Sequence, residues 1–219
     1  MNPLFISFLV LLGSYLLGSI PFGVLAGKLA GVDVRNVGSG NVGTTNVWRA
    51  LGPVTGLTVF ALDVLKGVAG PMLGLFLLGK NHPWGIALCA LLTVLGHIFS
   101  VFLKFKGGKG IATGLGAVLG LWWLGAVIAF GLWVVAFLLS RMVSLASILA
   151  CIFLPLLALY CHFYILLPLP YVLVITIFCL VAIIKHIPNM KRIATGTESR
   201  VSFGRKRLSE STFEEEETA

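Results

Sequence analysis

Three short polar segments interrupt an otherwise apolar chain of 219 residues. They cover residues 38–52, 104–110 and 186–198, and each begins at or just beyond the end of an apolar stretch. Each combines glycine and small polar side chains with lysine or arginine. Glycine lets backbone N–H groups approach an anion, hydroxyl and amide groups donate further hydrogen bonds, and cations supply charge. The pattern predicts an enzyme that handles phosphorylated substrates at the lipid–water boundary.

The first segment, GSGNVGTTNVWRALG, has the composition of an anion cradle. Its glycines permit close approach of the backbone, and Arg49 offers a planar guanidinium that can bind two phosphate oxygens. A helix is predicted to start with Thr44 or Thr45 near its N-cap, where the helix dipole favours an anion. A glycine-rich interfacial turn without a ligand is the alternative. The phosphate-binding residues predicted here are Ser39, Gly40, Asn41, Gly43, Thr45, Asn46 and Arg49.

The second segment, KFKGGKG, places a lysine between glycines directly before an apolar run that is typical of a new helix. A cation beside a helix N-terminus suits a phosphate. The predicted phosphate contacts are Gly107, Gly108 and Lys109. Lys104 and Lys106 are interpreted as side chains that extend to lipid headgroups. His97, about two turns below the loop, either lines the floor of the site or is a hydrogen-bonded core histidine.

The third segment, HIPNMKR followed by GTE, closes the last apolar run. His186, Asn189 and Arg192 recur at intervals of three, so they share one face if a helix continues through them. Pro188 can end that helix. Glu198 is predicted to orient a lysine or arginine. A basic membrane anchor is the alternative, and it explains the cations but neither Asn189 nor Glu198.

Composition places these segments in a membrane protein. The chain is 58% hydrophobic with a mean hydropathy of +1.02, and 11% of its residues are charged, against about 25% in soluble domains. Long uncharged runs predict a polytopic helical membrane protein. Residues 1–197 hold two acids against twelve lysines and arginines. Such a basic surface suits anionic headgroups or phosphorylated solutes, although positive loops also serve topology alone.

Few charged or reactive groups lie inside the apolar runs. Asp63 and Lys66 are three residues apart near the middle of the second run, so they can pair on one helix face. Charges at membrane depth are costly and usually paired or functional, and we interpret this pair as a buttress of the bundle. The four cysteines lie in apolar runs without CxxC spacing and are interpreted as buried, unreactive thiols.

The distribution of lysine and arginine predicts a topology. The links around all three polar segments are predicted to be cytoplasmic, and the turns at 79–83 and 168–170 external. The N-terminus is then outside and the C-terminus cytoplasmic if residues 111–167 cross an odd number of times. Two half-length helices within 111–139 plus one full crossing give about seven helices, five of them full crossings. Three thin crossings satisfy the same parity.

The prediction divides the chain into one domain and a tail. Residues 1–199 form a single all-α transmembrane domain. Residues 200–219 are charged and low in apolar content, and they are predicted to be a disordered cytoplasmic tail. The acidic run at 214–217 is interpreted as solvated rather than inhibitory.

Together the segments resemble the bacterial acyl-phosphate:glycerol-3-phosphate acyltransferases, sometimes called PlsY. The resemblance runs from the GSIPFG that begins at Gly18 to Glu198, and it includes three separate motifs in order. The residues that carry it are SGNVGTTN from Ser39 with Arg49, GH at Gly96, FKGGKG from Phe105, His186, Asn189, Arg192 and GTE from Gly196. Thr44 stands where the family often has alanine.

The resemblance implies a seven-helix enzyme of the bacterial cytoplasmic (inner) membrane whose site faces the cytoplasm. It would move a fatty acyl group from acyl phosphate to the sn-1 hydroxyl of glycerol 3-phosphate, giving lysophosphatidic acid and phosphate, the first step of phospholipid synthesis. The predicted partners are glycerol 3-phosphate, acyl phosphate and membrane lipids. We predict no cofactor, no metal ion and no nucleic-acid partner. The rival interpretations are a transporter of a phosphorylated solute and a non-catalytic lipid-binding scaffold.

The predicted catalytic residues are His186, Asn189, Lys109 and Arg49, with Arg192 as a further phosphate contact and His97 and Glu198 in support. His186 is the candidate general base, and the phosphate of the substrate is the alternative proton acceptor. None of the four histidines precedes an aspartate at the His-x4-Asp spacing. That absence argues against a charge-relay dyad in this chain.

Overall fold

The computed structural model describes residues 2–201. Over this part the chain is built from α-helices and short loops. The helices are α1 Pro3–Ser19, α2 Phe22–Leu29, α3 Thr44–Leu51, α4 Pro53–Leu78, α5 Pro83–Ile98, α6 Ile111–Leu121, α7 Trp123–Ser140, α8 Val143–Ile165, α9 Leu169–Lys185 and α10 Ile187–Ala194. A 3₁₀ turn, Val101–Leu103, follows α5. The predicted tail lies almost entirely outside the described residues.

Apolar helices of membrane-spanning length make up most of the described chain. The segments α4, α5 with its 3₁₀ turn, α7 and α8 are each long and apolar enough to cross a bilayer. The pairs α1–α2 and α9–α10, bent by 41° and 52°, bring the number to six if each pair is one span. The prediction of an all-helical, multi-pass membrane protein is confirmed.

The stretch 111–139 is split less evenly than we predicted. The break falls at Trp122, so α6 has 11 residues and α7 has 18, or about 16 and 27 Å of helix. The prediction of a half-length helix is correct for α6 and wrong for α7. The break has a local cause, because the Trp122 indole folds over Gly125 in the first turn of α7, where any side chain would overlap it.

Small residues let the helix axes approach closely. A methyl group on Gly18 of α1 would overlap the carbonyl of Thr93 on α5, and one on Gly67 of α4 would overlap the carbonyl of Thr113 on α6. Backbone contact of this kind drives helix association in a bilayer, where apolar burial between helices gains little over contact with lipid. Gly70 of α4 likewise leaves no room for a methyl beside the hydroxyl of Thr93, so these contacts join α1, α4, α5 and α6 in one block.

One end of the bundle collects the ends of several helices, and we call it the site face. Ser100, just after α5, donates to the carbonyl of Ser19 at the end of α1 over 2.6 Å. Ser144 at the start of α8 bonds Glu198, which follows α10. The amide of Val201 donates to the carbonyl of Arg141, next to the end of α7. The second and third polar segments of the sequence therefore lie at this face, and the first joins them through the carbonyl of Val42, which packs against Gly23 just beyond the end of α1.

The helices end at different depths. His97, next to last in α5, approaches Asp63 of α4 to 3.7 Å, and Asp63 comes ten residues after Pro53, where α4 begins. Ten helical residues rise about 15 Å. The first part of α4, with α2 and α3, therefore projects beyond the ends of α1 and α5 and leaves a recess beside them.

Candidate active site

The second and third polar segments meet in a continuous hydrogen-bond chain. The ammonium of Lys109, in the loop before α6, donates to the Oδ1 atom of Asn189 on α10. Asn189 Nδ2 donates to Glu198 Oε1 over 2.7 Å. Arg192 Nε donates to Glu198 Oε2 over 2.7 Å. Lys109 and Asn189, which are 80 residues apart in the sequence, are thus in direct contact. Residues that form one site must meet in this way.

Glu198 is the anion that organises this chain. It is 7% exposed and accepts a third hydrogen bond, over 2.6 Å, from Ser144 Oγ. Burial raises the pKa of Glu198, but the hydrogen bonds from Ser144, Asn189 and Arg192 outweigh it and hold the pKa below its ordinary value. The prediction that Glu198 orients an arginine agrees with this geometry. Sequence reasoning missed Ser144, whose only signal is a hydroxyl at the start of a helix.

The pKa of Lys109 is set by its burial and by the charged side chains near it. Burial, which is the largest influence, and the positive charges of Arg192 and Arg49 lower its pKa, Glu198 raises it, and the net pKa is about 8. The ammonium form therefore predominates at pH 7. Arg49, from the first polar segment, is close enough to act on Lys109 electrostatically. All three segments thus contribute cations to one region.

His186 lies at the junction of α9 and α10 and is 3% exposed. Its Nδ1 atom is 2.8 Å from the carbonyl of Ala182, so Nδ1 carries the proton and Nε2 is left as an acceptor. Burial and the charge of Lys109 lower its pKa to about 4, although the bond to Ala182 and the charge of Glu198 act the other way. The imidazole is therefore neutral at pH 7.

The first polar segment is shaped from within by Asn46. This side chain is 1% exposed, accepts hydrogen bonds from the amide and hydroxyl of Ser39 over 2.9 and 3.2 Å, and donates to the carbonyls of Val34 and Val37 over 2.8 and 3.0 Å. With both ends of its amide engaged, Asn46 closes the loop. We reassign it from phosphate contact to loop closure.

Two of the predicted glycine donors are also engaged within the loop. The amide of Gly40 donates to Val37, and the amide of Gly43 donates to the side chain of Asn41 over 2.8 Å. The structure thus gives Gly40, Asn41 and Gly43 a role in the turn rather than in direct donation to a ligand. A cluster of five buried valines anchors this loop on α2 and α4; its members are Val24, Val34, Val42, Val47 and Val59.

The start of α3 keeps donors for an anion. The N-cap is Gly43, one residue before Thr44 and two before Thr45, the two predicted cap positions. Within residues 2–201 the amides of Thr44 and Thr45 have no hydrogen-bond acceptor, and the buried hydroxyl of Thr44 has none either. Arg49 follows one turn later and is exposed. A helix N-terminus with an arginine on the same face is suited to a phosphate.

The glycines of the second segment close the floor of the site. Their amides donate back to α5, from Gly107 to the carbonyl of Ile98 and from Gly108 to the carbonyl of His97, both over 3.1 Å. A methyl group on Gly108 would overlap the Nε2 atom of His97. The predicted phosphate contacts at Gly107 and Gly108 therefore become packing contacts, and His97 is buried directly beneath them.

Beneath this floor Asp63 and Lys66 pair as predicted. Their Oδ1 and Nζ atoms are 2.7 Å apart, and the side chains are 3% and 2% exposed. Lys66 also donates over 2.7 Å to the carbonyl of Ile20, which the break between α1 and α2 leaves without a helical partner. The pair is central in α4 yet directly below the site, because α1 and α5 end at its depth.

Three cations, a neutral buried imidazole and a helix N-terminus lie at the end of the bundle, and they define a multi-pass membrane protein with a candidate anion site there. Comparison with known proteins narrows the class. The glycerol-3-phosphate acyltransferase family matches residues 8–196. The chain belongs to this family, as predicted, and it is a membrane acyltransferase.

Individual relatives agree over nearly their full length. A glycerol-3-phosphate acyltransferase of Prochlorococcus marinus (strain NATL2A) is 42% identical over 194 residues, which cover 88% of this chain and 97% of the relative. One of Lacticaseibacillus casei (strain BL23) is 42% identical over 195 residues, covering 87% and 90%. The family assignment thus rests on the whole membrane domain.

Solved structures show the same fold. The crystal structure of PlsY (YgiH), an integral membrane glycerol 3-phosphate acyltransferase, in its glycerol 3-phosphate form has a TM-score of 0.83 and 42% identity, over 90% of this chain and 96% of that one. The lysophosphatidic acid form has a TM-score of 0.81 and 40% identity, over 90% and 95%. The transporter and scaffold interpretations are set aside.

Proposed function

We propose that this enzyme transfers a fatty acyl group from acyl phosphate to the sn-1 hydroxyl of glycerol 3-phosphate, giving lysophosphatidic acid and inorganic phosphate. The observation that carries the proposal is the chain Lys109–Asn189–Glu198–Arg192, together with the field of Arg49 at Lys109. It gathers cations from three segments around one space. Both proposed substrates carry a phosphate, and such a space suits two anions.

The arrangement separates phosphate binding from hydroxyl positioning. Arg49, the N-terminus of α3 and the hydroxyl of Thr45 form one group of phosphate contacts. The Ser39 hydroxyl, predicted as a further contact, donates to Asn46 instead and is reassigned with it to loop closure. Lys109 and Arg192 form a second group, held from behind by Glu198. His186 Nε2 is the remaining buried acceptor and orients the attacking hydroxyl, with Asn189 at its side. Fixed positions of this kind supply most of the acceleration when the donor is already activated.

The chemistry then needs one displacement at the acyl carbon. The sn-1 hydroxyl oxygen forms a bond to this carbon, the bond from carbon to the phosphate oxygen breaks, and the departing phosphate takes the electron pair. Lys109 and Arg49 stabilise the negative charge that develops on the leaving oxygen. The hydroxyl proton moves to a phosphate oxygen.

Two features support the phosphate, rather than His186, as proton acceptor. A pKa of about 4 makes the imidazole a weak base at neutral pH. A phosphate monoester has a second pKa of about 6, which makes it the stronger base. His186 therefore acts as a hydrogen-bond acceptor that aligns the hydroxyl.

The site face is proposed to be cytoplasmic, in a bacterial inner membrane. The links at this face hold most of the positive charges, namely Lys28, Arg35, Arg49, Lys104, Lys106, Lys109, Lys185, Lys191 and Arg192. The opposite turn between α4 and α5 holds only Lys80 and His82. Such asymmetry orients membrane proteins with the positive side inward. The N-terminus is then external, since α1 runs toward the site face.

The proposal extends to membrane lipid as a partner. Around the second segment Val101, Phe102 and Phe105 are 41%, 59% and 60% exposed, and Phe105 lies between the exposed Lys104 and Lys106. Apolar side chains beside cations fit the boundary of acyl chains and headgroups. The acyl chain of the donor would reach the recess from this boundary.

Purified protein in detergent, given acyl phosphate and glycerol 3-phosphate, tests the function through phosphate release and lysophosphatidic acid formation. We expect release to require both substrates. His186→Gln is expected to keep most of kcat because the amide oxygen still accepts a hydrogen bond, whereas His186→Ala loses it. Release without glycerol 3-phosphate, or transfer only from an acyl thioester, would overturn the proposed reaction.

A further inference from the structure

The buried pair Asp63–Lys66 has contacts that an ordinary interhelical ion pair does not need. Lys66 holds the Ile20 carbonyl at the break between α1 and α2 over 2.7 Å and lies 5.3 Å from the centre of the Phe22 ring. Asp63 Oδ1 is 2.7 Å from Lys66 Nζ, but it has no aligned hydrogen bond within the described residues. Its nearest other partner is His97 Nδ1, at 3.7 Å.

His97 connects this carboxylate to the loop that carries Lys109. The side of the ring nearest Asp63 is Nδ1, and the opposite nitrogen, Nε2, lies under the Cα atom of Gly108 without room for a methyl group. The carbonyl of His97 accepts the amide of Gly108 over 3.1 Å. Both the ring and the backbone of His97 therefore fix Gly108, and Lys109 is the next residue.

A small cavity lies beside the carboxylate. Its lining includes Ser19, Asp63, His97 and Ser100. The cavity gives the imidazole room to close the 3.7 Å gap to a hydrogen bond. Catalytic hydrogen bonds are often long without substrate and shorten in the complex.

We propose that Asp63 is a positioning residue, which acts through His97 to fix the Gly107–Gly108 turn and hence the Lys109 ammonium against phosphate. Its carboxylate favours the tautomer with the proton on Nδ1 and holds the plane of the ring. Partners that orient a metal-bound histidine are commonly worth about 10- to 100-fold in activity, and we expect an effect of the same order for this metal-free pair. The inference rests on the proposed function, because its readout is acyl transfer.

The test is a double-mutant cycle of Asp63→Asn and His97→Gln, with kcat/KM measured by phosphate release and folding by thermal unfolding in detergent. Each single variant is expected to lower kcat/KM by about 10- to 100-fold. The double variant is expected to lose no more kcat/KM than the less active single variant, because both substitutions break the same contact between Asp63 and His97. Independent structural damage would instead multiply the two losses.

Loss of one buried charge can unfold a membrane bundle, since Lys66 would remain without its counter-ion. If Asp63→Asn does not yield folded protein, Asp63→Asn/Lys66→Gln, which removes both charges, takes its place in the cycle. Thr176→Val is the control, because in the described part of the chain the hydroxyl of Thr176 bonds only the carbonyl of Val172 within α9. It is expected to leave kcat/KM unchanged.

The outcomes separate this inference from the proposed function. Wild-type activity in Asp63→Asn, or losses that multiply in the double variant, would overturn the role of Asp63 and leave the reaction intact. Wild-type protein that transfers no acyl group from acyl phosphate would refute the proposed function, and this inference with it.

Discussion

Glu198→Gln is the substitution that bears most directly on the organisation of the site. The carboxylate accepts hydrogen bonds from Ser144, Asn189 and Arg192 and donates none. Glutamine has nearly the same shape but turns one acceptor oxygen into an NH₂ group. At least one of the three donors then faces another donor.

The expected loss follows from those contacts. A hydrogen bond to a charged group contributes about 1.5–3 kcal/mol, and the side chain is only 7% exposed, so solvent screens it little. Loss of one such bond predicts that kcat/KM falls by about 10- to 150-fold. The free energy of the lost hydrogen bond lowers kcat/KM because Asn189 and Lys109 are no longer held in their positions.

The same substitution changes the charge around Lys109. Glu198 raises the pKa of Lys109, which burial and the nearby arginines hold at about 8. Removal of the negative charge therefore lowers this pKa further. The alkaline limb of the kcat/KM profile is expected to move to lower pH in Glu198→Gln, and phosphate release assayed from pH 6 to 10 measures it.

Two control variants separate these effects from general damage. Ser144→Ala keeps the charge and removes one donor without setting two donors against each other, so a loss at the low end of that range, about tenfold, is expected with no movement of the limb. Thr195→Val changes the exposed residue that follows α10, whose hydroxyl, within residues 2–201, bonds the carbonyls of Lys191 and Arg192 and the hydroxyl of Thr197, and it is expected to behave as wild type. A Glu198→Gln enzyme with more than half of wild-type kcat/KM, or with an unmoved limb, would refute the assigned role.

Three further predictions address the cation, the packing and the first loop. In the wild type, kcat/KM is expected to fall as pH rises through about 8, where Lys109 loses its proton. Lys109→Arg stays charged and is expected to abolish this fall. If the fall persists in the variant, a group other than Lys109 causes it. Gly18→Ala forces a methyl against a backbone carbonyl, and an overpacking cost of about 2 kcal/mol is expected to lower the unfolding midpoint in detergent by about 4–8 °C. Gly13→Ala, which has open space beside it, is expected not to lower the midpoint. Equal shifts in the two variants would contradict the close helix packing at Gly18. Asn46→Leu removes four hydrogen bonds from the first loop and is expected to raise KM for glycerol 3-phosphate or acyl phosphate at least tenfold, and an unchanged KM for both would show that the loop holds neither.

Much of the site could be predicted from the sequence because polar residues are expensive inside a bilayer. His186, Asn189 and Arg192 lie next to an apolar run that cannot accommodate them, so they had to lie at a helix end. The same reasoning placed Lys109 and Arg49. Their convergence on one face followed from the parity of the crossings and the distribution of positive charge, and the fold brings them together.

The features of the site that could not be predicted depend on the relative depths at which the helices end and on local hydrogen bonds. Periodicity assigns Asp63 to the middle of α4, but it does not show that α1 and α5 end at that depth, which places Asp63 below the site. Glycine-rich composition does not distinguish an amide that binds a ligand from one that closes a turn, so Gly107 and Gly108 were assigned to phosphate. Ser144 carries no pattern, since its partner Glu198 is 54 residues away.

The central claim is that three distant segments face one side of the membrane and bind the same two anions. It is tested most directly by labelling Val37→Cys, Phe105→Cys and Thr195→Cys, one at a time, with a membrane-impermeant maleimide in oriented vesicles; the four native cysteines are buried. We predict that all three positions react only from the cytoplasmic side and that glycerol 3-phosphate with a non-hydrolysable acyl phosphate analogue slows every one of them. A position that reacts from the opposite side, or that the ligands leave unprotected while the others are slowed, would contradict the account.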